Sequence, residues 1–266
     1  MKILLTGASG FLGARIHQYL ATRHEIIAPS HKDFDICSEE NASAFILCHR
    51  PEAVIHCAAI SSTGYAQQHP DESYMVNVVG TLNIAKACAQ IEAKMLYMSS
   101  DQVYGGVTLM EPLKEDTPLA PNGIYGQHKL QAEQEVQKIL PQAVGLRLTW
   151  MYDDPSSPLK LNQNILVNLQ QARLNNTPIK ACTRELRGLT DVWQVVRNIE
   201  PALQLPGGIY NFGSENRLNT YETYLAFADK TNTPKQLIIA DDSWQRNLSM
   251  SIQRLRTHGI DFPDTI

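Results

Sequence analysis

Through its first 150 residues the chain alternates short apolar runs with longer amphipathic stretches. The apolar runs predict five strands, at KILLTG, EIIAP, AVIHCAA, MLYMSS and AVGLRLTW. The stretches between them predict helices at residues 11–22, 38–49, 72–91 and 123–139. Apolar strands joined by helices long enough to cover both faces are typical of a doubly wound parallel sheet. The predicted fold class is therefore α/β.

The alternation stops after Trp150, where the Pro-, Ser- and Asp-rich segment MYDDPSSPLKLNQN indicates a loop. A helix is predicted next, at residues 164–175. Beyond it, DVWQVVRNIEPAL and GIYNFG predict a helix and a strand that return to the main sheet. We therefore expect a larger domain made of residues 1–150 and about 188–213. The remaining residues, 151–187 and 214–266, are expected to form a smaller C-terminal domain.

Composition argues against several classes of protein. With 43% hydrophobic residues in 266, the chain can bury a large core. Its 23 basic and 27 acidic residues leave a net charge of -4 without a run of like charge, so we expect no nucleic-acid partner. No apolar run is long enough for a signal peptide or a membrane span, so we expect no membrane partner. The five cysteines fit neither a disulfide framework nor a metal site, which favours a reducing, cytoplasmic location.

The segment TGASGFLG follows the first predicted strand and opens the first predicted helix. Glycines there let the backbone turn tightly and approach a pyrophosphate, whose charge the helix N-terminus attracts. The spacing is GxxGxxG and not the common GxGxxG, so the alternative is a purely structural turn. We predict a dinucleotide-binding loop whose contact residues are Gly7, Ser9, Gly10, Phe11, Leu12 and Gly13.

The end of the second predicted strand indicates which dinucleotide would bind. A carboxylate there would favour NAD by binding the ribose hydroxyls, but the sequence reads APSHK. His31 and Lys32 place positive charge that suits the 2'-phosphate of NADP, and Arg15 on the first helix could add to it. The alternative is that these are ordinary solvated charges, because Asp33 and Asp35 lie close by. We predict NADP(H) as the preferred cofactor, with NAD(H) as the alternative.

Candidate catalytic groups follow the fourth strand and open a later helix. MSSDQVYGG places Ser99, Ser100 and Asp101 at the edge of the sheet where ligands bind in this fold class, although the serines could instead be loop caps. YGQHK places Tyr125 and Lys129 one turn apart on one helix face. A nearby ammonium is expected to lower the phenol pKa from about 10 towards the working pH. A serine would then hold a substrate oxygen, the phenol would pass a proton, and a nicotinamide would exchange a hydride.

Five segments, TGASGFLG, HCAA, VNVVGT, SSDQVYGG and YGQHK, make the chain similar to the extended short-chain dehydrogenase/reductase superfamily over nearly its whole length. The resemblance implies a Rossmann fold in the larger domain and substrate binding by the smaller one. It implies that Ser100, Tyr125 and Lys129 are catalytic, with Ser100 chosen over Ser99 because it precedes VY at the family's spacing. His128 replaces Ser in the usual YGxSK, and we interpret it as a surface residue that points away from Tyr125.

The same resemblance extends the cofactor site. Two residues after the second strand are implied to lie by the adenine, two alanines to line the cofactor cleft, and one asparagine to support the active site. The cofactor contacts implied in this way are Asp35, Ile36, Ala58, Ala59, Asn77, Tyr125 and Lys129.

Three features indicate a branch of the superfamily. Gln102 stands where sugar-nucleotide dehydratases carry a glutamate base, and an amide cannot ionise, so dehydration is disfavoured. LRLTWMY and the C-terminal RNLSMSIQRLRTHGIDFP resemble the dTDP-4-dehydrorhamnose reductase branch. In that branch the tryptophan, here Trp150, lies against the sugar, and Arg246 belongs to the closing pattern. The predicted substrate contacts are Ser100, Asp101, Trp150 and Arg246.

Other residues leave alternatives open. Gly64 and Tyr65 stand where the branch usually has charged residues, so the substrate could differ. Arg184 and Arg187 could meet a diphosphate or simply solvate a loop. Trp193 is interpreted as a core residue.

The leading hypothesis is that the chain is an enzyme that reduces a small-molecule substrate, a 4-keto sugar nucleotide, with NADP(H). A homodimer is the default assembly. The first alternative is an NADP-binding regulatory subunit without catalysis, similar to the beta subunit of methionine adenosyltransferase. The second alternative is an NAD(P)-dependent sugar-nucleotide epimerase or dehydrogenase.

Overall fold

Six parallel strands form the central sheet of the computed structural model, which describes residues 1–266. The strands of the whole chain are β1 (Lys2–Thr6), β2 (Glu25–Ile27), β3 (Ala53–His56), β4 (Lys94–Ser100), β5 (Val144–Leu148), β6 (Trp150–Tyr152), β7 (Ile179–Cys182), β8 (Glu185–Arg187), β9 (Leu189–Asp191), β10 (Gly208–Phe212), β11 (Ile238–Asp241) and β12 (Arg246–Leu248). The helices are α1 (Phe11–Leu20), α2 (Glu39–His49), α3 (Thr63–Gln68), α4 (Pro70–Tyr74), α5 (Thr81–Ile91), α6 (Ile124–Ile139), α7 (Ile165–Asn175), α8 (Val192–Ala202), α9 (Thr220–Thr231) and α10 (Gln253–Arg256). No helix is both long and apolar enough to cross a membrane.

The strand order in the central sheet is β10-β5-β4-β3-β1-β2. The predicted α/β class and parallel sheet are confirmed, because each neighbouring pair in this sheet is parallel. The segment GIYNFG returns to the sheet as β10, which pairs with β5. The order reverses direction at β1, between β3 and β2, and ligands of such sheets bind at the carboxyl ends of strands at this switch point.

Buried side chains cover both faces of the sheet. Ile3 and Leu5 belong to a cluster of 25 buried residues that includes the apolar faces of α1 and α8. Leu4, between them in the chain, belongs to a second cluster of 16 buried residues with residues of α2 and α5. Because successive strand residues point to opposite faces, the continuous apolar run of β1 serves both clusters. Trp193 packs against the first cluster, as predicted.

Three pairs of short strands lie outside the central sheet: β6 with β9, β7 with β11, and β8 with β12. A third cluster of 8 buried residues packs α7 and α9 against them. The pairs β7/β11 and β8/β12 join the segment after β6 to the C-terminal segment of the chain, whereas β6/β9 joins two segments that both precede α8. They place β8 and β12 next to the turn that follows β4, since β12 contacts that turn.

The helix predicted over residues 72–91 is interrupted. After α4 the backbone makes a π-helical turn, Met75–Gly80, and α5 begins only at Thr81. Gly80 permits this path because a Cβ at that position would lie 2.8 Å from the Ile36 side chain. Such turns occur frequently at functional sites, and this one carries the fully buried Asn77.

Candidate active site

The glycine loop lies at the switch point of the sheet. Gly7 has a positive φ of 68°, and a Cβ there would lie 2.6 Å from the backbone nitrogen of Ala58. Only glycine therefore lets the loops after β1 and β3 come into contact. A Cβ on Gly13 would lie 2.2 Å from the Gly7 carbonyl oxygen, so glycine is also required where α1 starts.

This loop fits a pyrophosphate. Gly10 precedes α1 without a capping side chain, so the first N–H groups of the helix are available to an anion at its positive end. Ser9 is exposed at the tip of the loop and Phe11 is half-buried. Leu12 packs in the core, so only its backbone could contact a cofactor. Across the cleft Ala58 and its neighbour are half-buried, as an apolar cofactor wall requires.

The loop after β2 carries two basic side chains. His31 and Lys32 are both exposed and form no salt bridge. The neighbouring carboxylates are engaged locally: Asp33 accepts a hydrogen bond from a serine hydroxyl (2.6 Å), and Asp35 accepts one from a backbone N–H (2.9 Å). Ile36 is buried beneath the π-helical turn. The basic side chains of this loop are therefore exposed and not held in a salt bridge, so a ligand phosphate could reach them.

The expectation that Arg15 adds to this phosphate site is wrong. Arg15 is fully buried and points from α1 towards the segment after β6. Its Nε donates to Asp153 Oδ2 (2.7 Å), and its Nη1 donates to the Lys160 carbonyl oxygen (3.0 Å). A guanidinium held by a buried carboxylate has no charge to offer a ligand elsewhere.

The three predicted catalytic residues come together at the end of β4. Ser100 is the last residue of that strand, and Tyr125 and Lys129 lie on the first turns of α6, all three buried. Lys129 Nζ lies 5.7 Å from the centre of the Tyr125 ring and donates to the Met98 carbonyl oxygen (2.9 Å). Gly126 allows this approach, because a Cβ there would lie 2.4 Å from a carbonyl oxygen of the turn after β4.

The electrostatics of this trio differ from expectation. Burial raises the pKa of the Tyr125 phenol, the Asp101 carboxylate raises it further, and a hydrogen bond with Ser100 opposes the rise. Burial also lowers the pKa of Lys129 to about 8. The expected lowering of the phenol pKa is therefore wrong for these side chains as they are placed, because burial and the Asp101 charge both raise it.

The loop after β3 links this trio to the glycine loop. Cys57 lies close enough to Lys129 for the ammonium to act on its thiol, although burial raises the thiol pKa to about 12. The next residue, Ala58, contacts Gly7. The glycine loop and the Tyr/Lys helix therefore border the same cleft.

Asn77 anchors the backbone of that loop. Its Oδ1 accepts from the Ile60 N–H (3.0 Å), and its Nδ2 donates to the Ile60 carbonyl (3.0 Å) and to Ser73 Oγ (3.1 Å). His128 continues the chain of hydrogen bonds, with Nδ1 3.0 Å from Ser73 Oγ. His128 is thus only partly at the surface: its ring is half-buried, burial lowers its pKa, and it packs edge-on against Tyr74.

His56 is a buried member of the site that sequence reasoning missed. Its Nδ1 lies 2.8 Å from Thr6 Oγ1 and its Nε2 lies 3.1 Å from Thr81 Oγ1. Thr81 donates to the Asn77 carbonyl (2.9 Å) and Thr6 accepts from the Ala58 N–H (3.1 Å). These directions assign the proton to Nε2 of a neutral imidazole. Burial and then the charge of Lys129 lower the His56 pKa to about 3, which keeps the ring neutral.

Ser99, the alternative to Ser100, faces away from the cleft. It donates to Glu133, which forms a buried salt bridge with Arg147 (2.7 Å). Arg147 in turn donates to the Tyr104 hydroxyl (2.6 Å). Through Glu133, this network fixes α6 to strands β4 and β5. No sequence motif indicated it.

Asp101 is buried beside Ser100 and is paired with Arg187. Its Oδ1 accepts from Ser100 Oγ (3.1 Å) and from Gln102 Nε2 (3.1 Å), and its Oδ2 accepts from Arg187 Nη2 (2.9 Å). The Arg187 guanidinium lies 5.0 Å from the centre of the half-buried Trp150 ring. Arg187 is thus an inward-facing partner of Asp101 and not a solvated loop residue.

Two other arginines lie near β8. Arg246 donates from Nε to Glu185 (2.9 Å), and its Nη1 lies 3.5 Å from Gln102 Oε1. Arg184 is exposed and, with Arg217, lines an open cavity of about 390 Å³. Because side chains alternate along β8, this cavity lies on the face opposite to the one that carries Arg187.

Comparison with known proteins gives a family and a fold. The sequence pattern described as "RmlD substrate binding domain" matches residues 1–251. The dTDP-4-dehydrorhamnose reductase of Mycolicibacterium smegmatis is 34% identical over 152 residues, which are 57% of this chain but only 46% of that protein. The methionine adenosyltransferase 2 subunit beta of Xenopus laevis is 28% identical over 245 residues, which are 88% of this chain and 73% of that protein.

Among solved structures, the dTDP-4-dehydrorhamnose reductase of Bacillus anthracis in complex with NADP has the same fold. It superposes with a TM-score of 0.87 at 22% sequence identity, covering 99% of this chain and 94% of that one. The smaller strand pairs outside the main sheet are therefore part of a shared architecture.

Proposed function

This chain belongs to the RmlD substrate binding domain family, within the extended short-chain dehydrogenase/reductase superfamily, and from that premise we propose that it reduces a 4-keto sugar nucleotide with NADP(H). The observation that carries the proposal is the meeting of Ser100, Tyr125 and Lys129 at the end of β4, in the cleft that the glycine loop borders. On this proposal residues 1–150 and about 188–213 bind the dinucleotide. Residues 151–187 and 214–266 bind the substrate.

Each member of the trio has one task. Tyr125 donates its phenolic proton to the substrate oxygen as the carbonyl becomes an alcohol, and it regains a proton from solvent. Ser100 donates its hydroxyl proton to Asp101 Oδ1 in this structure, and it would turn that proton to the substrate oxygen to stabilise the negative charge that develops there. Lys129 supplies a positive charge next to the phenol, which favours the phenolate left after proton transfer.

The residues of the cleft fit a nicotinamide dinucleotide. When bound, it would supply the hydride that reduces the substrate carbon. Gly7, Gly10 and Gly13 would receive its pyrophosphate, and the alanines after β3 would form one wall. The exposed His31 and Lys32, without acidic partners, support NADP(H) over NAD(H).

A sugar nucleotide is supported by the substrate side of the cleft. Trp150 presents a half-buried ring beside Asp101 and Arg187, where a sugar could stack. Gln102 is an amide bonded to Asp101, so the site has no carboxylate base at the position where dehydration would need one. The named relative from M. smegmatis is a reductase of this substrate class.

The direct test incubates purified protein with NADPH and a panel of 4-keto sugar nucleotides that differ in the nucleotide and in the sugar. The expected result is loss of the absorbance of the reduced nicotinamide with at least one of them, together with formation of the alcohol by mass spectrometry. Absence of oxidation with every member of the panel rejects the proposal.

The second candidate is an NADP-binding regulatory subunit that performs no chemistry. It is favoured by one observation: the methionine adenosyltransferase subunit matches 88% of this chain, whereas the reductase from M. smegmatis matches 57%. Recovery of a stoichiometric partner protein from native extract would support this candidate. Turnover that is lost in Tyr125→Phe would reject it.

A further inference from the structure

The Arg187–Asp101 ion pair crosses from the small strand pair β8/β12 to the active-site end of the main sheet. Arg187 Nη2 lies 2.9 Å from Asp101 Oδ2, and the two side chains are 17% and 3% exposed. Asp101 forms no other salt bridge, so this guanidinium is the only cation paired with it. A buried carboxylate is stabilised when it is both paired and hydrogen-bonded, and Asp101 is both.

Apart from Asp101, the surroundings of the Arg187 side chain offer it few stabilising contacts. Its Nε is buried and has no hydrogen-bond partner, and Trp150 offers only the face of its ring. An arginine that leaves a buried donor unsatisfied is held in place by something stronger, and the strongest contact here is the Asp101 carboxylate. The pair is therefore more than an incidental surface bridge.

Asp101 faces the reacting atoms. Its Oδ1 accepts the hydrogen bond of the Ser100 hydroxyl, and its charge acts on the Tyr125 phenol. Without a counter-charge, the carboxylate would oppose both the negative charge developing on the substrate oxygen and the phenolate left on Tyr125. The guanidinium offsets part of that opposition, because it places a positive charge 2.9 Å from the carboxylate.

We propose that Arg187 is a positioning residue of the reaction, which neutralises and orients Asp101 so that Ser100 and Tyr125 can serve a substrate oxygen that becomes negative. The inference rests on the proposed function. Arg187 works through Asp101 and takes no proton and forms no bond itself.

Few other charged or titratable groups could take over this role. Around Tyr125 and Asp101 the remaining groups are Lys129 on α6 and His56 and Cys57 at the end of β3, while Glu133 is paired with Arg147. Around Arg187 they are Glu185, which is paired with Arg246, and the buried Tyr224 of α9. On the elements packed against α6, further groups include the exposed acidic residues of α4, Tyr65 of α3, and Cys88 and Lys86 of α5, the last paired with Glu39; α6 itself also carries the half-buried His128.

The test compares wild type, Arg187→Gln, Arg187→Lys and the double variant Arg187→Gln/Asp101→Asn in NADPH-dependent reduction. In Arg187→Gln we expect kcat to fall by about tenfold to a hundredfold with KM within about threefold, because the lost effect acts on charge that develops during the reaction. Arg187→Lys keeps the charge and should recover most of the rate. Asp101→Asn in the Gln background removes the uncompensated charge and should recover at least about tenfold.

A pH profile separates this role from a structural one. In the direction of alcohol oxidation the site needs the phenolate, so the rate rises with pH. That rise should move to higher pH in Arg187→Gln and return in the double variant. The matched control is Arg173→Gln, which removes an exposed arginine that donates only to the Thr231 carbonyl (3.0 Å) and should leave all parameters unchanged. Urea unfolding of each variant shows whether a lost rate merely follows lost stability.

Each outcome is informative. An active wild type with an Arg187→Gln variant of unchanged kcat and pH profile overturns the inference and leaves the proposed function standing. A loss of kcat in Arg187→Gln that the added Asp101→Asn substitution does not restore also overturns the inference and leaves the proposed function standing. A wild type that turns over no member of the substrate panel overturns the proposed function, and the inference with it.

Discussion

Lys129 is anchored to Met98 by a hydrogen bond from its ammonium to the backbone carbonyl, 2.9 Å away. The anchor belongs to β4, the strand that ends in Ser100. The position of the ammonium is thus set by the main sheet and does not depend on another mobile side chain. Helix α6, with Tyr125 one turn earlier, is fixed to the strand that carries the serine.

Replacing Tyr125 by Phe should remove the proton donor without disturbing the fold. We expect kcat to fall by about 10²- to 10⁴-fold, the range for loss of a general acid, with NADPH binding within about threefold of wild type. Steady-state kinetics and fluorescence titration of NADPH measure the two effects. Tyr19→Phe, on the half-buried side of α1, is the control and should retain full activity. A Tyr125→Phe protein with wild-type turnover would contradict the assignment.

The reduction rate should decline as pH rises through about 8, the pKa to which burial lowers Lys129. Above that pH the ammonium loses its proton and no longer favours the phenolate. The sign for stability is opposite: the unfolded chain holds this proton up to a pKa of about 10.4, so stability should rise with pH between the two values. Rate profiles and urea unfolding from pH 7 to 10 measure both.

Lys129→Arg is the matched control for that profile, because a guanidinium stays charged throughout this range. Whatever activity the variant retains should not decline near pH 8. An identical decline in wild type and variant would assign it to another group.

His56 should make the protein sensitive to acid. Its pKa of about 3 in the folded protein lies below the ordinary value of 6.5. Between these two pH values the unfolded chain binds a proton on this ring and the folded protein does not. Stability should therefore fall below pH 6.5, by about 1.4 kcal/mol for each pH unit down to the folded pKa. His56→Gln should flatten this slope in urea unfolding, whereas His17→Gln, at an exposed position, should keep it. Equal slopes for both variants would show that other groups cause the acid sensitivity.

The cofactor preference should depend on the loop after β2. Replacing His31 and Lys32 together by Ala should weaken NADP+ binding by about tenfold or more and leave NAD+ binding nearly unchanged, since only NADP+ carries the 2'-phosphate. Calorimetric titration with both dinucleotides measures the ratio. Lys180→Ala, on the exposed side of β7, controls for the loss of a surface charge. Equal weakening of both dinucleotides would place the 2'-phosphate elsewhere.

The main sheet could be predicted from the sequence because the alternation of apolar runs with amphipathic stretches, and the positions of glycines between them, are visible locally in the chain. The run KILLTG and the segment GIYNFG both lie where expected, as β1 and β10. The interruption of the helix at Met75–Gly80 could not be predicted, because it depends on the packing of Ile36 against Gly80 from a distant loop. The three small strand pairs could not be predicted for a similar reason, since each pair joins segments that are far apart in the chain.

For the site, residue types could be predicted but their surroundings could not. The motifs predicted Ser100, Tyr125 and Lys129 as a group, and the structure has them close together, whereas the direction of the phenol pKa depends on burial, which no motif reports. Arg15 has the right charge and lies on the right helix, but its partner Asp153 is 138 positions away. His128 likewise reads as a surface residue until the fold brings Ser73 to its ring.

The Arg15–Asp153 pair has a mechanical consequence. Because the guanidinium binds both Asp153 and the Lys160 backbone, the segment after β6 cannot swing away from α1 unless a fully buried ion pair separates. If the pair stays intact, any movement of the segment after β6 therefore moves helix α1 with it as one rigid unit.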